Sequence, residues 1–118
     1  MHASASRPKA QAARTLAARA PRRCSYDALM EQLSASPTAP RVVEAALAVL
    51  ASPEWADLWP ELDVIDDPEG PGKQLVLLLV SAAPLPGLVS RAAEFTLAWQ
   101  RECGVEATAS IAVAGESR

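Results

Sequence analysis

The sequence predicts an α+β domain: N-terminal helices followed by a small three-stranded mixed sheet with a β-α-β crossover. Apolar residues recur at helical spacing over residues 25–51, and a continuous Leu/Val run spans Gln74 to Ala82. A long amphipathic stretch over 86–103 then separates that run from an alternating segment at 106–114. At 118 residues the chain fits one domain, and half of it is apolar. Ala, Val and Leu dominate that half, with one Phe and one Tyr, a composition that packs helices closely but buries little area per residue.

Residues 1–23 hold Ala, Arg, Ser and Pro around a lone Leu16, which reads as a disordered basic tail; residues 24–118 read as the single folded domain. A helix over 10–19 without a packing face would be marginal. The first helix is expected from Ser25 to Leu33, with Ser25 as N-cap and Asp27 in the first turn, where the helix dipole favours a negative charge. Tyr26, Leu29, Met30 and Leu33 form its stripe. A second helix runs from Pro40 to Ala51 on Val43, Ala46, Leu47 and Leu50. Ser52 and Pro53 open a short third helix, in which Trp55, Leu58 and Trp59 share a face and which Pro60 ends.

Leu62 to Ile65 is a short strand, and the Pro- and Gly-rich stretch over 66–73 is an exposed connection. Gln74 to Ala82 does not alternate, so it is a strand covered on both faces and hence central. The helix over 86–103 carries Leu88, Ala92, Phe95, Trp99 and Cys103 in its stripe, and Gly104 terminates it. Glu106 to Ala114 is a strand with Ala107, Ala109, Ile111 and Val113 on one face. Strand, helix, strand in that order makes the last two strands parallel through a right-handed crossover, with the 62–65 strand as an antiparallel neighbour.

Charge divides the chain. Residues 1–23 carry six bases and no acid, whereas 24–118 carry five bases against fourteen acids, so a +6 arm precedes a −9 body and the net charge is −3. The absence of Asn and the excess of Arg over Lys are what GC-rich coding produces, which suggests a bacterial source. No run reaches the roughly eighteen apolar residues of a membrane helix, and the start has no secretory pattern, so the expectation is a cytoplasmic protein with no membrane partner.

Little in the sequence supports catalysis. His2 is the one histidine and precedes the folded body, so no histidine-based acid–base, triad or metal chemistry is expected. Cys24 and Cys103 match no zinc or C-x-x-C spacing and read as free thiols; Cys103 lies on a helix stripe, while Arg22 and Arg23 beside Cys24 would lower its pKa. Glu61, Asp63, Asp66, Asp67 and Glu69 crowd together, but a calcium loop begun at Asp63 puts Pro68 where glycine is required. Gly70, Pro71, Gly72 and Lys73 precede a strand rather than a helix, and Gln74 stands where a phosphate loop needs Ser or Thr. No catalytic residue, metal site or cofactor is therefore expected.

The leading expectation is a non-catalytic protein–protein interaction or regulatory module. Its candidate partner-binding residues are Trp55, Trp59, Asp63, Asp66 and Asp67, and its partner is another protein or a second copy in a homodimer. The alternative is a nucleic-acid-associated protein that binds through an arm made of Arg7, Lys9, Arg14, Arg19, Arg22 and Arg23. That arm has no aromatic residue to stack on bases; a further expectation is that it folds back on the acidic body and screens it. A carboxylate- or metal-dependent enzyme built on residues 61–69 is the third reading.

Overall fold

The computed structural model describes residues 7–82 and 84–118, with side chains described for 11–82, 84 and 86–118. The elements are α1 (Arg7–Arg19), α2 (Tyr26–Ser34), α3 (Ala39–Leu50), a 3₁₀ turn at Pro53–Trp55, β1 (Trp59–Asp66), β2 (Lys73–Ser81), α4 (Leu85–Cys103), α5 (Val105–Thr108) and β3 (Ala112–Ser117). The class is α+β, with the first helices preceding a three-stranded mixed sheet of order β1-β2-β3. β1 and β2 are antiparallel, with Leu62 opposite Leu77; β2 and β3 are parallel, with Leu77 opposite Val113.

Local chemistry sets the helix ends. The Ser25 hydroxyl accepts the Ala28 N–H at 3.1 Å, and Asp27 occupies the first turn of α2. Gly104 ends α4 at φ 92°, a left-handed value that disfavours a side chain, and its N–H donates to the Gln100 carbonyl at 2.7 Å. Pro40 lies in the first turn of α3, where a missing N–H costs nothing.

The core lies between the helices and one face of the sheet. Leu62, Leu75, Leu77 and Leu79 meet Leu29, Leu33, Val42, Val43, Phe95 and Trp99. Phe95 stacks on Trp99 with ring centroids 5.8 Å apart and meets Trp55 edge-on at 5.9 Å. The buried Trp99 indole donates to the Val42 carbonyl at 2.9 Å, so the largest core side chain leaves no polar atom unpaired.

Three expectations are corrected. Residues 11–23 are not an unpacked tail: Leu16 is 0% exposed, and Ala13, Ala17 and Ala20 join it in the core at the spacing of one helix face. Alanines give α1 a contact face because they let it approach α2 and α3 closely. Residues 1–6, His2 among them, lie outside the described residues. Trp55 and Trp59 do not share a helix, because the turn ends after one 3₁₀ step and Trp59 and Pro60 enter β1. Leu62 turns both its backbone groups outward, donating to the Pro21 carbonyl and accepting from the Arg23 N–H, so Pro60 two residues earlier also faces out and β1–β2 pairing loses no donor. Finally, residues 105–108 are the short helix α5, and the last strand is shifted to Ala112–Ser117.

Candidate functional site: the helix-free face of the sheet

Strand parity divides the sheet. Leu62 and Val64, with Leu75, Leu77, Leu79 and Val113, point into the core. The opposite face carries Trp59, Glu61, Asp63 and Ile65 from β1, Val76, Leu78 and Val80 from β2, and Ala112, Ala114 and Glu116 from β3. Among the described residues no helix packs on this second face. The described helices cover one side only, yet on this second face Val76 and Val80 are buried and Leu78 is half-buried, beneath the side chains that flank and cross them.

What crosses the bare face is a ring of ion pairs. Glu61 stands opposite Leu78 and Glu116 opposite Val80, so the ring lies over the C-terminal half of β2. Arg23 reaches from beyond β1, donating through Nε to Glu61 Oε1, through Nη1 to Glu116 Oε1 at 2.6 Å and through Nη2 to Glu116 Oε2. Arg118 closes it from the other end, with both Nη atoms 3.1 Å from the Glu61 oxygens and Nε 2.9 Å from Glu116 Oε2. Each carboxylate is held by both guanidiniums, and each guanidinium by both carboxylates. The Arg23 hydrogen bond holds the Glu116 carboxyl down to about 2, with Arg118 adding to it. Glu61 is lowered for the same reasons, Arg23 first, and the carboxylates push Arg23 upward in turn.

The other sequence-predicted residues scatter around this face. Trp59 is 41% exposed at one end of it and Ile65 43% at the other. Asp63 lies on it between them and accepts the Val64 N–H at 2.8 Å. Asp66 pairs with Lys73 at the hairpin end, and Asp67 caps the turn by accepting the Glu69 N–H at 2.9 Å. These acids do not converge: among the described residues no three His, Cys, Asp or Glu side chains gather as a metal-binding group. Trp55 is buried, with Arg91 lying 4.1 Å over its ring while that guanidinium forks onto Asp57 at 2.8 and 2.9 Å. Trp55 is thus a core anchor rather than part of an exposed face.

Three arginines of the arm contact the body. Arg19 pairs with Glu44 at 3.0 Å, Arg22 lies 5.9 Å over the Tyr26 ring, Arg23 is in the ring, and Arg14 is exposed. The Arg7 and Lys9 side chains lie outside the described residues. Cys24 is half-buried, with its thiol 3.9 Å from the Leu62 carbonyl; burial and then Asp63 raise its pKa, outweighing the lowering by Arg22.

No protein family, curated protein or solved structure matches the chain.

An open groove of about 550 Å³ lies between α3 and α4, with Ala45, Ala48, Val49 and Ala98 on its walls and Glu54 and Glu102 beside them. Ser52 and Trp55 complete its lining. Sequence reasoning missed Glu61, Glu116 and Arg118 as a group, because the residues that meet Arg23 in the ring lie 38 and 93 positions from it. The one legible signal was Val76, Leu78 and Val80, the second aliphatic face of β2.

Proposed function

We propose that this protein is a non-catalytic interaction module whose helix-free sheet face receives an amphipathic segment of a partner protein. The observation that carries this reading is the aliphatic second face of β2, which no described helix covers and on which Leu78 is half-buried between the exposed Trp59 and Ile65 while Val76 and Val80 are buried. The partner's chemistry follows from the face. Trp59 and Ile65 lie six strand steps apart, about 20 Å, which is the length of a helix of about 13 residues. Between them Glu61, Asp63 and Glu116 outnumber Arg23 and Arg118, on a chain whose net charge is −3. An apolar stripe flanked by Lys or Arg complements that surface in both hydrophobicity and charge.

Two synthetic helical peptides with the same Leu stripe, one flanked by Lys and one by Glu, test this directly. The Lys peptide is expected to shift tryptophan emission in the wild-type chain, to lose that shift in Trp59→Phe, and to bind more weakly as salt rises. Leu78→Lys, which leaves the core face untouched, is expected to weaken binding by about tenfold or more. If neither peptide binds, or if Leu78→Lys binds as tightly as wild type, the reading is wrong.

A further inference from the structure

We infer that a second copy of this chain pairs with it through the outer edge of β3, antiparallel about a two-fold axis at Ala114, to give a continuous six-stranded sheet. The sheet has one free end. At the β1 end, Pro21 and Arg23 already bond the two backbone groups of Leu62. At the β3 end no further strand pairs among the described residues.

Register fixes which groups β3 presents. The Arg118 N–H donates to the Ser81 carbonyl, and the Ser110 carbonyl accepts from the Gln74 side chain, so the even-numbered residues turn their backbone groups towards β2. Val113 and Gly115 therefore turn theirs outward. A two-fold at Ala114 sets Val113 opposite Gly115 of the second copy and Gly115 opposite its Val113, two hydrogen-bonded pairs that satisfy those groups reciprocally. Ala114 meets its own copy in the narrow pair between them. Glu116 falls opposite Ala112, so no like charges face each other across the seam.

The edge is lightly protected, since Glu116, its one charged residue, is tied to Arg23 and Arg118. Residues 112–115 contain no Lys, no Pro and no charge. The helix layer continues the same surface. Arg91, Ala98 and Glu102 lie on the flank of α4 that faces α3 and the 3₁₀ turn. At 100° per residue, Val89 and Ala93 lie on the opposite flank, the side of the β3 edge, and Val89 is 63% exposed. Packing of Leu88 against Gly115 brings this uncharged end of α4 level with the axis. A seam of five paired residues, 112–116, two layers deep, measures roughly 17 Å by 20 Å and covers on the order of 700 Å² for the pair, the size of a weak, dissociable dimer. Because Pro21 and Arg23 occupy the middle of the β1 edge at Leu62 and block a further strand there, the assembly closes at two copies and does not extend into a fibre.

Sedimentation velocity on the full chain, together with oxidation of Ala114→Cys, tests the inference. In the narrow pair the two Cα atoms stand about 4.5 Å apart, within disulfide reach. The wild type is expected to sediment as a dimer, and Ala114→Cys to convert to a disulfide-linked dimer, while the exposed control Ala48→Cys stays uncrosslinked under the same oxidation. Ala93→Glu, which places like charges near the axis, is expected to sediment as a monomer with an unchanged circular dichroism spectrum. A wild type that remains monomeric at about 0.5 mM, where a micromolar Kd would pair nearly all chains, overturns it. So does a dimer that Ala114→Cys fails to crosslink; such a dimer would use another surface. Pairing uses the backbone edge of β3 and peptide binding the face centred on Leu78, so failure of either leaves the other to be decided by its own test, although Ala114 stands beside Leu78 on that face.

Discussion

Glu116 shows how much a single side chain on the bare face depends on its two arginines. Its carboxyl is held at about 2 against an ordinary 4.5, with the Arg23 hydrogen bond as the main cause. A carboxyl whose pKa is lower in the folded than in the unfolded chain stabilises the fold at any pH above its ordinary value, and that stability is lost as pH falls through the folded value. Acid titration of the wild type should therefore lower the melting temperature progressively between about pH 4.5 and about 2. Glu116→Gln should melt lower than wild type at neutral pH and lose less over that acid window, as followed by circular dichroism. The group is exposed, so the effect is modest and shrinks in high salt. An identical acid slope in the two proteins would mean that the ring contributes nothing in solution.

Among the elements, α1 gives the largest departure from the sequence reading and the sharpest mutational test. Leu16 has no exposed surface, so Leu16→Ala should cost about 2–5 kcal/mol in urea unfolding, while Arg14→Ala on the exposed side should change little. For the same reason, a chain starting at Cys24 should be markedly less stable than the full chain. The elements legible in the sequence are those whose signal is local. The stripes of α2, α3 and α4, the Ser25 cap, the Gly104 stop and the central place of β2 all follow from spacing within a few turns. Those that were missed depend on partners distant in sequence. Ala13, Ala17 and Ala20 count as a buried face only once α2 and α3 supply the other side. Pro60 reads as a breaker until its nitrogen is known to face away from β2. The alternation over 106–114 is genuine, but Gly104 releases the chain into a last short turn before the strand begins. The helix-free face divides in the same way: local signals singled out Trp59 and Asp63, which lie on it, Trp55 is buried in the core, and the arginine–glutamate ring was invisible.

At the scale of the whole molecule, the sheet is thinly clad: helices on one side, a charged ring on the other and one free edge. A chain that pairs through β3 has a stability linked to its own concentration, because the dimer is populated by mass action. The melting temperature should rise as the protein is concentrated, and in Ala93→Glu it should not; a concentration-independent wild type would contradict the pairing. The ring has a further consequence, and it concerns time. Arg23 meets Glu116 across 93 positions, whereas the two members of the β1–β2 hairpin come together across a short turn. During synthesis at about 5–20 residues per second, Arg23 waits several seconds with Glu61 alone to answer its charge while β2 and α4 are being made. Through that interval the aliphatic face of β2 is open, and the arginine that will cross it is free to swing. The nascent chain is thus most vulnerable to unwanted association just before its last strand is added.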